Sequence, residues 1–293
     1  MSTVINTNID ALTAQRNLSS LSLQYSKSVE KLSSGLRINR AADDAAGLAI
    51  SQNLEAQVNG LNQAQRNAQD GISMIQTAEG ALNEVQAMLQ RMRELAVEAS
   101  NGTLGSSDLQ SVGDEMAALA SEINRDTSTT QFNGIQLLDG TAGTSGNVTL
   151  QIGANGSDTL TVTFGKQDVN SLFGTNSSLL SSIMSSSADG SFTAISSASN
   201  SDYNSLISGI DTAIQAVSTA RGEFGASQNR LEHTINSLGV ASENLSASQS
   251  RIQDLDVASE MVNFTKLQIL QQAGTAILAQ ANQAPQTVLK LLQ

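Results

Sequence analysis

The residue pattern places this chain in the mainly α class, as an elongated up-and-down coiled-coil rod with a small β-hairpin region and paired terminal helices. Three observations carry that assignment. Two stretches of about fifty residues repeat apolar or small side chains at alternating gaps of three and four, the heptad rhythm that holds one helix seam against a partner. A single proline and 3% aromatics leave little from which to build a sandwich, a barrel or an ordinary enzyme core. Both ends of the chain are amphipathic at helical spacing.

The elements follow in order. Ile5, Ile9 and Leu12, then Leu21, Tyr25, Val29, Leu32 and Leu36, are spaced by threes and fours and predict a helix over most of residues 1–36, with only Met1–Ile5 extended. Residues 33–47, with Gly35 and a charge cluster, predict a linker. The first long helix runs from Gly47 through Ile50, Leu54, Leu61, Ala64, Ala68, Gly71, Ile75, Ala78, Leu82, Val85, Leu89 and Met92 to Ala96, with Gln57 in the one empty slot. Seven heptads span roughly 75 Å at ~1.5 Å per residue. Its interior glycines, Gly60, Gly71 and Gly80, each cost about 1 kcal/mol against alanine, so this helix persists only when packed. Gly71 lies on the seam, where the expectation is close approach of a neighbouring backbone. Gly60 and Gly80 lie off it.

Asn101-Gly102 closes that helix, and Ser106 or Ser107 with Asp108 predicts the N-cap of the next. Leu109, Val112, Met116, Leu119 and Ile123 give the next helix a seam, on which it folds back as a hairpin. Residues 131–140 predict a turn-rich loop. Val148, Leu150 and Ile152 alternate, 154–157 turns, and Leu160, Val162 and Phe164 alternate back, which predicts a β-hairpin near 147–165. Residues 174–202 are serine-rich and of low complexity, a variable surface loop that cannot build a core. The second long helix carries Leu206, Ile210, Ala213, Val217, Ala220, Phe224, Ser227, Leu231, Thr234, Leu238, Ala241, Leu245, Ser248, Ile252 and Leu255. Beyond it the register changes. Leu267, Leu270, Ala273, Ile277 and Ala281 form a new stripe that carries the helix to the only proline, Pro285, and Val288, Leu289, Leu291 and Leu292 finish the chain apolar. Both terminal helices therefore belong at one end of the rod.

Charge and chemistry narrow the function. The net charge of −12 speaks against nucleic acid as a partner, although Arg16, Lys27, Lys31, Arg37 and Arg40 outnumber Asp10 and Glu30 in the first forty residues. No apolar run approaches the ~20 residues of a membrane span, and no cleavable leader is evident; a soluble, uncleaved chain is expected. There is no cysteine, which removes thiol catalysis, disulfides and Cys-based metal sites, and there is one histidine, His233. His233 adjoins the seam residue Thr234 and reads as a helix-surface or interface residue. Asp43 and Asp44 lack a third ligand in register and read as a turn or helix start. Asp254 and Asp256 point apart on a helix, so with Glu260 they make no cation site. Gly153 and Gly156 lack the following Lys-Ser/Thr and helix of a phosphate loop. Neither catalysis nor a cofactor is expected. Only 14% of residues are charged, and the flanks of the heptads are mostly uncharged. A rod covered by other subunits would explain this.

The chain resembles bacterial flagellin in long blocks: MSTVINTNIDALTAQRNL at the start, LSSGLRINRAADDAAGLAIS at 32–51, RMRELAVEASNGT at 91–103, FNGIQLLDG at 132–140 and SRIQDLDVASEMVNFTKLQILQQAGTAILAQANQAPQTVLKLL at 250–292. The match covers about 1–170 and 203–293. It departs in the middle, where many flagellins insert outer domains and this chain has only 174–202. The resemblance implies a secreted subunit of the extracellular flagellar filament, a helical homopolymer used for motility. It implies terminal helices, 1–40 and 255–293, that line the inner tube and order only on assembly, and a rod domain of 44–175 and 203–254 forming the next shell. Inner-tube contacts would fall on Ile5, Ile9, Leu12, Leu267, Leu270, Ile277, Leu289 and Leu292. It also implies a type III flagellar export apparatus, a chaperone on the C-terminal segment, and hook-filament junction and cap proteins as partners. A host Toll-like receptor would read Gln90, Arg91, Leu95 and Glu115, and host inflammasome sensors Val288, Leu289, Leu291 and Leu292. Serines and threonines of 174–202 are O-glycan acceptors by the same resemblance. A regulatory coiled-coil adaptor shares the heptads, but it would carry charged flanks and lack amphipathic ends.

Overall fold

The computed structural model describes residues 7–174, 184–186, 192–194 and 200–291. The elements are α1 (Ile9–Ser34), α2 (Ala45–Ala99), α3 (Ser106–Thr129), β1 (Gln131–Phe132), β2 (Ile135–Gln136), β3 (Asn147–Gln151), β4 (Thr159–Thr163), α4 (Val169–Phe173), β5 (Met184–Ser186), β6 (Phe192–Ala194), α5 (Asn200–Gln253) and α6 (Val257–Leu291). The helical class, the long up-and-down pair and the paired terminal helices are those expected. The chain forms two compact units: a terminal unit of Met1–Val58 with Glu243–Gln293, and a central unit of Asn59–Ser242.

In the central unit the seam of α2 is closed. Ala68, Ile75, Ala78, Leu82, Val85, Leu89, Met92 and Ala96 are all fully buried. Across it lie Leu206, Ile210, Ala213, Val217, Phe224 and Leu231 of α5, equally buried. Polar contacts mark the antiparallel register: Arg93 Nε donates to Asp211 at 2.7 Å, Arg221 to Gln86, and Ser242 Oγ to Asn62 at 3.0 Å. Gly71 is filled from the side by Leu150 of β3, so a side chain rather than the expected backbone makes the close approach. Gly60 likewise faces Ala154, at 3.0 Å from where its own Cβ would stand. Among the described residues nothing outside its own helix lies within 4 Å of where a Cβ of Gly80 would stand, and nothing there explains this glycine.

The third helix buries Leu109, Met116 and Ile123 of its expected seam, on a stripe that also takes in small residues. Its buried positions are Leu109, Gly113, Met116, Ala117, Ala120, Ile123 and Thr127, whereas Val112 and Leu119 flank this stripe and are only half-buried. The N-cap is Gly105, not a serine: Asp108 reaches back to accept from the Gly105 N–H at 3.2 Å. The expected loop at 131–140 holds a two-residue hairpin. Asn133 and Gly134 both have positive φ, 49° and 80°, the mirror-image turn whose twist matches paired strands. The larger hairpin pairs Val148 with Val162 and Leu150 with Leu160 as the alternation requires, and buries Leu160, Val162 and Phe164. Short α4, which shows no periodicity in the sequence, is capped by Asp168, which accepts from the Ser171 N–H at 3.2 Å. Most of the serine-rich loop lies outside the described residues; within it β5 and β6 pair antiparallel, Ser185 opposite Thr193, and α5 begins at Asn200.

The terminal unit is an antiparallel pair, α1 with α6. The linker between α1 and α2 starts at Gly35, a left-handed cap with φ 71°, and ends at Asp44, which accepts from the Gly47 N–H at 2.8 Å to open α2. The second long helix does not run on into α6. It breaks at 254–256, where Asp256 caps α6 by accepting from the Ala258 and Ser259 N–H groups at 3.0 and 3.2 Å. At this level the two strands are tied together. Arg37 N–H donates to Gln253 O at 2.7 Å, Leu255 N–H to Gly35 O at 3.0 Å, and the Arg37 guanidinium forks onto Ile252 O at 3.1 and 2.6 Å. Past this break α6 continues through Pro285 to Leu291 rather than stopping at the proline.

Candidate assembly surface

The terminal helices meet on a seam that mixes large apolar residues with small and polar ones in equal number. On α1 the inward positions are Ala11, Ala14, Leu18, Leu21, Tyr25, Ser28 and Leu32, gaps of three and four without interruption. On α6 they are Glu260, Phe264, Leu267, Gln271, Gly274, Leu278 and Ala281, with the same rhythm. Contacts fix the register. Asn8 Nδ2 donates to Ala281 O at 2.8 Å, and Ser28 Oγ to Glu260 Oε1 at 2.5 Å. The Tyr25 and Phe264 rings stack with centroids 5.1 Å apart. Gly274 admits Leu18, whose Cδ1 sits 3.1 Å from where a Cβ would be.

Pairing on this seam leaves a second set of large apolar residues outward. Ile9 is 66% exposed, Leu12 60%, Ile269 65%, Ile277 60% and Val262 68%, and Leu23, Val29, Val257, Met261 and Leu270 are also on the surface. Of the expected interface residues, Ile9, Leu12, Leu270 and Ile277 lie on this outer face, while Leu267 belongs to the seam between α1 and α6. Ile5 and Leu292 lie outside the described residues, and Leu289 is placed only by its backbone in α6. Each terminal helix thus has two apolar faces, one used within the chain and one left bare. The sequence stripes mixed the two faces, because Ala11, Ala14, Ser28, Gln271 and Gly274 carry no hydrophobic signal. So many large aliphatic side chains left open is unusual for a soluble monomer. Each outer residue is worth about 1–2 kcal/mol when its exposed fraction is buried.

The residues expected to face a host receptor sit on the central unit. Gln90 and Arg91 are exposed and Leu95 is buried. Arg91 joins α2 to α3 through Glu115, with Nε and Nη2 at 3.0 and 2.9 Å, and reaches Glu94 at 3.2 Å. Hydrogen bonds to Glu115 and then Glu94 hold the Arg91 guanidinium still more firmly protonated than usual. The patch is a set of paired charges over a packed leucine. Among the described residues no group of three or more His, Asp or Glu side chains is placed to hold a metal ion, and no helix is long and apolar enough to cross a membrane. Asp254, expected on a helix, lies in the break and accepts from Ser250 Oγ at 2.6 Å.

Comparison with known proteins matches both ends of the chain. The bacterial flagellin N-terminal helical region matches residues 5–143, and the bacterial flagellin C-terminal helical region matches residues 207–292. A flagellin of Halalkalibacterium halodurans is 51% identical, covering 99% of this chain and 100% of its own. A flagellin of Bacillus subtilis is 47% identical, covering 99% of each. A solved structure from Vibrio parahaemolyticus, provisionally described as a flagellar hook-associated protein, shares the fold with a TM-score of 0.57 at 16% identity over 72% of this chain and 100% of that one. With two family regions matched and full-length relatives near half identity, this chain belongs to the bacterial flagellins.

Proposed function

We propose that the outer apolar face of the paired terminal helices is the surface through which this flagellin polymerises. As a member of the family it is a structural subunit of the extracellular flagellar filament, used for motility, and not an enzyme. One observation supports the assignment of the surface: α1 and α6 have already satisfied each other along a heptad seam, yet both still present large aliphatic residues to water. A second copy is the natural cover, since every copy carries the same bare face. On this reading residues 1–40 and 255–293 line the inner tube, and 44–175 with 203–254 forms the shell around it. Ile5, Ile9, Leu12, Leu270, Ile277, Leu289 and Leu292 make the contacts between copies, and Leu267 holds the helix pair that presents them. Ordering these helices and assembling the polymer are then one event, because the contacts that offset the lost chain entropy come from neighbours.

The remaining partners follow from the same reading. The chain is exported by the flagellar type III apparatus with a chaperone on its C-terminal segment, and meets hook-filament junction and cap proteins at the ends of the polymer. Serines and threonines of 174–202 are the acceptors if the surface carries O-glycans. Gln90, Arg91 and Glu115 are the receptor-facing groups, with Leu95 supporting them from beneath. Deletion of Pro285–Gln293 tests the assembly surface. The truncated chain is expected to stay helical and soluble and to add nothing to filament seeds in a sedimentation assay; long polymers from it would refute the proposal.

A further inference from the structure

We propose that the first turn of α1 in one copy, carrying Ile9, Asp10 and Leu12, docks in a lysine-rimmed groove between α1 and α6 of a second copy. The proposal rests on the assembly surface above and names its charged contact. The groove has an apolar wall of Leu21, Leu267 and Leu270 and a rim of Lys27, Lys31 and Lys266. Its one carboxylate, Glu260, already accepts from Ser28 at 2.5 Å. Lys27 reaches only Asp43, at 3.9 Å, and among the described residues Lys31 and Lys266 are in no ion pair. A leucine wall beside excess positive charge fits a segment that offers a carboxylate between aliphatic side chains.

The chain holds such a segment, and it is bare. Asp10 is exposed, is the only acidic residue before Glu30, and makes no ion pair among the described residues. It sits between Ile9 and Leu12, which are 66% and 60% exposed. The groove of the same copy is out of its reach. Asp10 and Lys27 lie on one continuous helix, about 26 Å apart at ~1.5 Å per residue. The partner groove must therefore belong to another molecule. Because the two surfaces differ, the contact is heterologous, and repeating it generates an open series rather than a closed dimer.

Zero-length carbodiimide coupling of the full chain, assembled on seeds, tests the contact. Mass spectrometry is expected to find Asp10 joined to Lys27, Lys31 or Lys266 in the polymer, and at least tenfold less of these peptides in unassembled chain. Asp10→Lys is expected to slow elongation at least tenfold, and adding Lys31→Glu with Lys266→Glu to restore most of the rate. That rescue separates docking from the ordinary role of an acid in a first helical turn, which changes on α6 would not mend. Wild-type polymer in which these lysines couple only to other carboxylates, or an Asp10→Lys chain elongating like wild type, would overturn the contact and leave the assembly surface standing. A wild-type chain that never extends seeds would overturn both.

Discussion

The two compact units are built from the same long helices and spend their apolar residues in opposite ways. In the central unit the heptad positions of α2 from Ala68 to Ala96 are fully covered. In the terminal unit Ile50, on the same seam of the same helix, is 50% exposed, and the seam of α1 and α6 alternates leucines and aromatic rings with alanine, serine, glycine and glutamine while Ile9, Leu12, Ile269 and Ile277 face water. Charge divides the same way. Residues 59–242 hold 7 Lys and Arg against 18 Asp and Glu, a net of −11, and the remaining residues hold 8 against 9, a net of −1. A surface with almost no net charge and much bare apolar area can approach its own copies with little repulsion. One bearing eleven negative charges resists association except where specific contacts offset it. The contrast teaches that one repeat pattern can close a core inside a molecule or leave one open for the next.

Several substitutions would break or sharpen this contrast. The largest effect is expected from Ile9→Asp with Ile277→Asp, which puts charges on the outer face without touching the seam between α1 and α6. Pelleted polymer should fall more than tenfold while the thermal unfolding of the monomer is unchanged; equal loss of monomer stability would show that these residues belong to an internal core. The reverse experiment is Leu82→Ala in the closed seam. It should lower unfolding free energy by about 3 kcal/mol, in the range for a buried leucine truncated in a packed core, as read by a shift in urea midpoint. Polymerisation at a temperature well below melting should persist. Arg91→Ala is expected to reduce signalling in a Toll-like receptor reporter several-fold, with urea midpoint and pelleting as in wild type. If Arg91→Ala instead lowers pelleting, the patch is a contact between copies.

The smallest effect concerns Asp126 on α3. Burial holds its carboxyl above the usual aspartate value of 3.8, and among the described residues one of its oxygens, Oδ2, has no hydrogen-bond partner. A carboxyl with a raised folded-state pKa binds its proton more tightly when folded. Stability is therefore lost as pH rises from the ordinary aspartate value through the higher folded one. Asp126→Asn should flatten that decline, so that urea midpoints at pH 7 exceed wild type slightly and those near pH 3 do not.

Much of this architecture is legible in the sequence because heptads in the central unit coincide with burial. Leu82, Leu89, Ile210 and Val217 lie on the seam and in the core alike. The hairpin register at Val148 and Val162 follows from alternation for the same reason. Three features were not legible, each with a physical cause. The seam of the terminal helices runs in part through Ala11, Ala14, Ser28 and Gly274, which hydropathy passes over, so the stripe of large residues mixed the seam with the outer surface. Gly105 caps α3 because Asp108 supplies the acceptor, although adjacent serines look like better caps. The break at 254–256 depends on hydrogen bonds to residues 35–37, more than two hundred positions away, which no local pattern contains. The turn at Asn133-Gly134 is different: its signal was present, but strands of two residues are too short to show alternation.

That break has a mechanical side. The outgoing and returning strands interrupt their helices at a common level, and four hydrogen bonds between 35–37 and 252–255 fasten them there. Pulling or twisting either strand at this point loads the other through the fastening, so neither length of backbone is strained by itself. In a filament spun from its base, each subunit would share torque between two covalent lines bolted side by side. Cutting the Arg37 fork would leave only the two backbone hydrogen bonds to keep them from slipping past one another.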